Sequence, residues 1–116
     1  MAVEFDWLND NNLLISNVTE VIYANPAATK TFIYAISLHN THSSAVEVTL
    51  YKVPDNAAAV GTAAAGNQIF KRSLAAYETF PLNDVTHILG DTNDSLQAVA
   101  DVDAKVTINL DGAKQT

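Results

Sequence analysis

Strict alternation of apolar and polar residues is the feature that most limits what this chain can fold into. From Lys105 to Asp111 every second residue is apolar, and the same alternation recurs at several places upstream. Successive side chains of a β-strand point to opposite faces of the sheet, so Val106, Ile108 and Leu110 share one face. The pattern predicts antiparallel sheets that each bury one face and leave the other in water.

The longest alternating segment spans residues 30–40, and a second one spans residues 46–51. The apolar face predicted for the first segment consists of Phe32, Tyr34, Ile36 and Leu38. Only a short connection that contains the four-residue loop at residues 41–44 separates the two segments, so we predict that they pair as a hairpin. The Ala-rich stretch at residues 54–66 is predicted to be a surface loop, because Gly61 interrupts it and few large side chains anchor it.

Turn signals between short strands predict an all-β fold without a convincing helix. We predict a single-domain antiparallel β-sandwich of about eight strands, of jelly-roll or related Greek-key type. Residues 1–12 are predicted to form an N-terminal arm, and residues 13–116 the β-sandwich domain. The arm contains Phe5, Trp7 and Leu8, which either cover the end of the core or dock on a neighbouring subunit.

The charge of the chain argues against two classes of partner. The net charge is −7 with only six Lys and Arg residues. Nucleic-acid binders need cations that displace phosphate counterions, so we expect no nucleic-acid partner. An anionic membrane surface would repel the chain, so we expect no membrane partner either. Charged residues make up 16% of the chain, against about 25% in typical domains, which suits a protein that lies against other protein or an extracellular module in salty surroundings.

No cysteine is present, which excludes disulfides and cysteine-ligated metals in this sequence and favours folding in a reducing cytoplasm. The sequence also shows no signal peptide.

The three histidines are the first candidates for catalysis or metal binding. His39 and His42 lie close in sequence and His87 lies far from both. A metal site needs a third ligand and supporting partners that the spacing does not supply, so we interpret these residues as surface imidazoles. We therefore predict no catalytic residues, no cofactor and no metal.

Two Asp-rich turns are a candidate for calcium, because oxygen ligands from turns suit that ion. The residues are Asp91, Asn93, Asp94, Asp101 and Asp103. The first turn lacks the Gly and Glu of a calcium loop, and Asp and Asn are what turns prefer in any case. Calcium binding stays an open hypothesis on these grounds.

An exposed tyrosine is a candidate for contact with a sugar or with another subunit. Tyr34 is assigned to the apolar face and therefore to the core. Tyr51 lies opposite Val48 and Leu50 in the alternation and is the best candidate for an exposed aromatic. An exposed Tyr fits a protein contact at least as well as a carbohydrate platform.

Several motifs resemble small β-sandwich virion proteins of tailed bacteriophages. They are YANPAATKTFIYAISLHNT at residues 23–41, AVEVTLYKVP at 45–54, SLAAYETF at 73–80, LGDT at 89–92 and VTINLDG at 106–112. The resemblance covers roughly residues 21–112 in the same order. The chain departs from the pattern at Ala28 and Tyr77, where those proteins usually have Gly.

This resemblance implies a non-enzymatic virion structural protein that is assembled in the host bacterial cytoplasm. The implied roles are a capsid decoration (cement) protein, or a neck, tail or fibre component. The implied partners are the major capsid protein or other virion proteins, and a homo-oligomer with a trimer favoured. The expected subunit or capsid contacts are Phe5, Trp7, Leu8 and Tyr51. The alternatives are a carbohydrate- or receptor-binding module of a tail or fibre, and a small enzyme.

Overall fold

The computed structural model describes residues 2–9, 13–83 and 85–116. These residues contain ten antiparallel strands and one turn of 3-10 helix (Ala65–Asn67). The strands are β1 (Val3–Trp7), β2 (Leu13–Leu14), β3 (Glu20–Ala24), β4 (Lys30–Asn40), β5 (Val46–Val53), β6 (Gln68–Leu74), β7 (Thr79–Leu82), β8 (His87–Leu89), β9 (Ser95–Ala100) and β10 (Val106–Gln115). Sheet one has the order β1-β10-β4-β7, with β2 beside β10 and β8 beside β4; sheet two has the order β3-β9-β5-β6.

The strand order is that of a jelly roll. β1 and β2 share one position beside β10, and β7 and β8 share one position beside β4. Each sheet therefore has four strand positions, and successive positions along the chain alternate between the sheets except at β5 and β6. Two four-stranded antiparallel sheets connected in this way form a jelly-roll sandwich. The predicted all-β sandwich of about eight strands is confirmed.

The predicted hairpin between residues 30–40 and 46–51 is wrong. β4 lies in sheet one and β5 in sheet two, where β5 pairs with β6 and β9. The short loop between β4 and β5 crosses from one sheet to the other. Two strands that each have one apolar face can bury it in either of two ways, by pairing side by side in one sheet or by packing face to face in two sheets. Alternation alone does not distinguish these arrangements.

The side chain of the buried Asn40 holds this crossing in place. Its Nδ2 lies 3.0–3.2 Å from the carbonyl oxygens of Ser44, Leu74 and Ala75, to which it donates, and its Oδ1 accepts from the backbone N–H of His42 at 2.9 Å. One side chain thus bonds to the backbone of the loop after β4 and of the end of β6, including the buried carbonyl oxygen of Leu74.

Residues predicted as an N-terminal arm form β1, which pairs with β10 from Val3 opposite Gln115 to Trp7 opposite Asp111. After β1, the side chain of Asn9 donates to the carbonyl oxygen of Ile108 and accepts from the N–H of Leu110, both at 2.6 Å. The amide of Asn9 thereby stands in for a backbone peptide where this edge of the sheet is interrupted. Residues 10–12 of the predicted arm lie outside the described residues.

The core lies between the sheets and is built from the alternating strands. Val106, Ile108 and Leu110 of β10 are all fully buried, as predicted, and they face Val48 and Leu50 of β5 across the core. At about 25 cal/mol per Å² of apolar surface removed from water, this layer is the main source of stability.

A β-bulge in β4 changes which residues face the core. Opposite β10, Asp111 pairs with Ala35 and Gly112 pairs with Ile33, so Tyr34 has no partner. The extra residue reverses the alternation, as a bulge does. Ile33 and Ile36 therefore both point inward, while Tyr34 is 41% exposed. The prediction that Tyr34 lies in the core is wrong for this reason.

Several turns use the left-handed backbone conformation without glycine, and two of them coincide with departures from the phage pattern. Ala28 has φ of 54° and Tyr77 has φ of 60°. These are the two positions where the phage virion proteins usually have Gly. Residues with a Cβ adopt this region at a cost of roughly 1–2 kcal/mol, so both turns contain local strain.

Candidate functional site

The outer face of sheet one exposes a group of large apolar side chains, which we call the aromatic face. Its members, which are 41–78% exposed, are Val3, Phe5, Trp7, Tyr34 and Ile88. They come from β1, β4 and β8, and the half-buried Phe32 lies among them.

Strand pairing explains why these side chains meet. Phe5 pairs with Ala113, Ala113 with Phe32, and Phe32 with Ile88, so the four form one row across β1, β10, β4 and β8. Residues paired in this way point to the same face of a sheet. Ala113 is fully buried although it points outward, which places it beneath its larger neighbours in the row.

The bulge in β4 brings Tyr34 to this face, where its ring lies beside that of Phe5. The ring centroids are 6.1 Å apart and the planes are tilted by 33°. This distance is within the range for attractive aromatic pairs. Both rings are exposed, Phe5 by 78% and Tyr34 by 41%. The pair therefore forms a fixed apolar platform that no other part of the described chain covers.

The aromatic face is as large as the apolar patches that often mark binding sites. With about 150–250 Å² for a whole aromatic side chain, the exposed fractions leave roughly 400–500 Å² of apolar surface in water. The largest apolar patch on a typical monomer is about 300–600 Å² and is often a binding site. The face therefore has the size of a patch that is often a binding site.

Two opposite charges flank the aromatic face. Lys30 is next to Gln115 in the row that contains Val3, and Asp111 lies in the row that contains Trp7. Gln115 and Asp111 are four positions apart on β10, so the two rows are about 13 Å apart.

The predicted contact residues divide among three places. Phe5 and Trp7 lie together on the aromatic face. Leu8 is 9% exposed and packs in the core. Tyr51 is half-buried on sheet two, opposite Gln97 of β9. Sequence reasoning missed Tyr34 and Ile88, because the first depends on the bulge and the second on pairing between distant segments.

The histidines do not form a common site. The Nδ1 atom of His39 makes a 2.8 Å hydrogen bond with the hydroxyl of Thr79. His87 pairs with Ile33, six residues from His39 along β4 and therefore about 20 Å away. Within residues 2–9, 13–83 and 85–116, no group of three His, Cys, Asp or Glu side chains is placed to hold a metal ion.

The Asp-rich turns lie at opposite ends of β9, so they do not bring their carboxylates together at one end of the sandwich. Their carboxylates bond to nearby backbone instead. Asp94 accepts from the N–H of Asp91 at 3.0 Å, and Asp101 accepts from the N–H of Glu47 at 2.8 Å. These are the turn-stabilising roles that Asp plays without a metal.

Comparisons with known proteins identify the fold. No protein-family model matches the chain, and no curated protein sequence matches it. The structure is similar to that of Bacillus endospore appendages, described as a family of disulfide-linked pili, with 10% identity, a TM-score of 0.51, and coverage of 99% of this chain and 87% of that chain. A weaker similarity, with a TM-score of 0.35 and 13% identity, is to infectious bursal disease virus, Gt strain, covering 97% of this chain and 30% of that one. No helix in the described residues is long and apolar enough to cross a membrane.

Proposed function

We propose that this chain is a non-enzymatic structural subunit of a bacteriophage virion, and that it acts as a capsid decoration (cement) protein. The observation that carries the proposal is the aromatic face, with Phe5 and Tyr34 exposed side by side on a rigid sheet. Leaving this much apolar surface in water is unfavourable, and contact with other protein removes the cost.

Two further observations support a structural role. The motifs at residues 21–112 resemble small virion proteins of tailed phages, and Ala28 and Tyr77 have the left-handed backbone that the Gly of those proteins would favour. The jelly-roll fold is also found in a pilus protein. That pilus is linked by disulfides, whereas this sequence contains no cysteine. Copies of this chain would therefore join by burial of surface alone.

The mechanism of decoration is the linking of several shell subunits by one bound unit. Each added contact acts at a high effective concentration once the first has formed, so weak contacts together resist opening of the shell. A homo-oligomer of two or more copies multiplies these contacts.

The test is binding to empty heads assembled from the major capsid protein of the same phage. We expect the chain to sediment with the heads in a saturable ratio and to raise the temperature at which they fall apart. Virions that already carry their own copies serve as the control and should bind no more. Failure to sediment with empty heads at micromolar concentration would contradict the decoration role.

A carbohydrate- or receptor-binding module of a tail or fibre is the second candidate, because Phe5 and Tyr34 offer two exposed rings on which a sugar can stack. Glycan screening tests it. This role predicts that Tyr34→Ala abolishes binding, while Tyr77→Ala, at the 63% exposed turn residue, leaves it intact.

A further inference from the structure

We propose that the aromatic face binds the aromatic face of a second copy of this chain, about a two-fold axis that lies in the interface and runs across the strands. The proposal deepens the proposed function, since it takes this face as a protein-contact surface and names its partner. The axis follows the row of Phe5, Ala113, Phe32 and Ile88.

The outward residues of sheet one form three successive rows that are suited to this symmetry. The outer rows lie on either side of the central one and differ in charge. They are the row of Val3, Gln115 and Lys30, and the row of Trp7, Asp111 and Ala35. Rotation about the central row brings each outer row of one copy onto the other outer row of its partner.

Charge selects the direction of the axis. With the axis across the strands, Asp111 lies opposite Gln115 of the second copy, and Lys30 of that copy is displaced sideways by one strand spacing, about 4.8 Å. With the axis along β10, Asp111 would instead face Asp111 of the second copy, and like charges in direct opposition are unfavourable. With the axis between β10 and β4, Asp111 would face Ala35 and gain no partner. Only the first arrangement forms two attractive pairs per dimer.

The apolar residues also match under this rotation. Trp7 comes opposite the smaller Val3 of the second copy, and Phe5 comes opposite its own counterpart. A large side chain against a small one, on two sheets about 10 Å apart, lets the layers interdigitate. Because Lys30 and Asp111 cancel within the face, the net charge of −7 is not concentrated at the contact.

The aromatic face supplies more than half of the area that a stable pair needs from each partner. Specific interfaces bury about 800 Å² from each partner, with an apolar centre and a polar rim. The roughly 400–500 Å² of the aromatic face supplies the centre, and the rows with Lys30 and Asp111 supply part of the rim. Both loop ends of each sandwich remain free in the pair.

The first test measures the mass of the protein in solution. The fluorescence emission of Trp7, the only tryptophan, is a second readout. Light scattering should give twice the 12.4 kDa of one chain, and dilution should shift the Trp7 emission to the red as the pair separates. Phe5→Ser should weaken pairing at least about 30-fold, as loss of a central anchor does. Val18→Ser, at an equally exposed apolar residue before β3, is the control and should have no effect.

The second test is charge reversal. Lys30→Asp and Asp111→Lys should each weaken pairing, and the double variant should restore it. Circular dichroism verifies that every variant is folded, and Ile88→Ser replaces any Phe5 variant that is not. A monomer or a trimer in solution would overturn the proposal. Tighter pairing of either single variant, Lys30→Asp or Asp111→Lys, would also overturn it.

The outcomes are separable from those of the decoration test. A monomer that still binds empty heads refutes the pair alone. A dimer that does not bind heads refutes decoration alone.

Discussion

Substitution of Gly112 by Ala should break the packing of β10 against β4 beside the bulge. A Cβ at Gly112 would overlap the backbone carbonyl oxygen of Phe32 and would lie 3.0 Å from Cδ1 of Leu8 in the core. The carbonyl belongs to the sheet and has little freedom to move, so the backbone of both strands must separate. Forced overpacking of this kind costs typically 1–3 kcal/mol, and more where backbone must yield. We expect a loss of about 3 kcal/mol.

Urea unfolding followed by circular dichroism measures this loss. With a slope of about 1.5–2 kcal/mol per M, the midpoint should fall by roughly 1.5–2 M. Gly90→Ala is the matched control, since a Cβ there meets nothing within 4 Å and neither glycine has a positive φ. The control should be neutral or stabilised by a few tenths of a kcal/mol. If Gly112→Ala unfolds within 0.5 kcal/mol of Gly90→Ala, the close approach of β10 and β4 is refuted.

Two further predictions concern turns and buried polar groups. Ala28→Gly and Tyr77→Gly should each raise the free energy of unfolding by about 1 kcal/mol, because glycine relieves the strain of the left-handed backbone. Ala27→Gly, the control, should lower it by about 0.5 kcal/mol. Thermal unfolding that shows the same sign of change at all three positions would contradict this reasoning. Asn40→Ala should lose about 2–3 kcal/mol, because it removes the hydrogen bonds of a buried amide, including those to the buried carbonyl oxygen of Leu74 and from the N–H of His42. Asn109→Ala, on the outer face of β10, should cost under 1 kcal/mol in the same urea assay.

The alternation in the sequence was sufficient to predict the sandwich and its core. Val106, Ile108 and Leu110 are buried as their spacing requires, because burial of one face is a local property of each strand. Which strands pair is not local. The crossing between β4 and β5 depends on bonds from Asn40 to the distant Leu74 and Ala75, and no alternation within β4 or β5 specifies them.

The candidate site shows the same division between local and distant information. Phe5 and Trp7 are recognisable in the sequence as large apolar residues in a short segment. Tyr34 joins them because β4 has one residue more than β10 between Ala35 and Ile33. A single extra residue reverses the faces of a strand, so the error at Tyr34 follows from the assumption of unbroken alternation.

The two sheets treat their outer faces differently, which is the strongest reason to regard the aromatic face as a place for a partner. On sheet two, the side chain of Gln97 donates to the carbonyl oxygen of Gly61 at 2.8 Å, so the loop at residues 54–66 lies over the outer face. Gln97 is consequently buried although it points away from the core. Sheet one has no such cover among the described residues, yet its outer face is the more apolar of the two, with Phe5 and Trp7 exposed. The chain covers part of the outer face of sheet two with its own loop and leaves the aromatic face of sheet one in water, which supports the proposal that another protein surface covers sheet one.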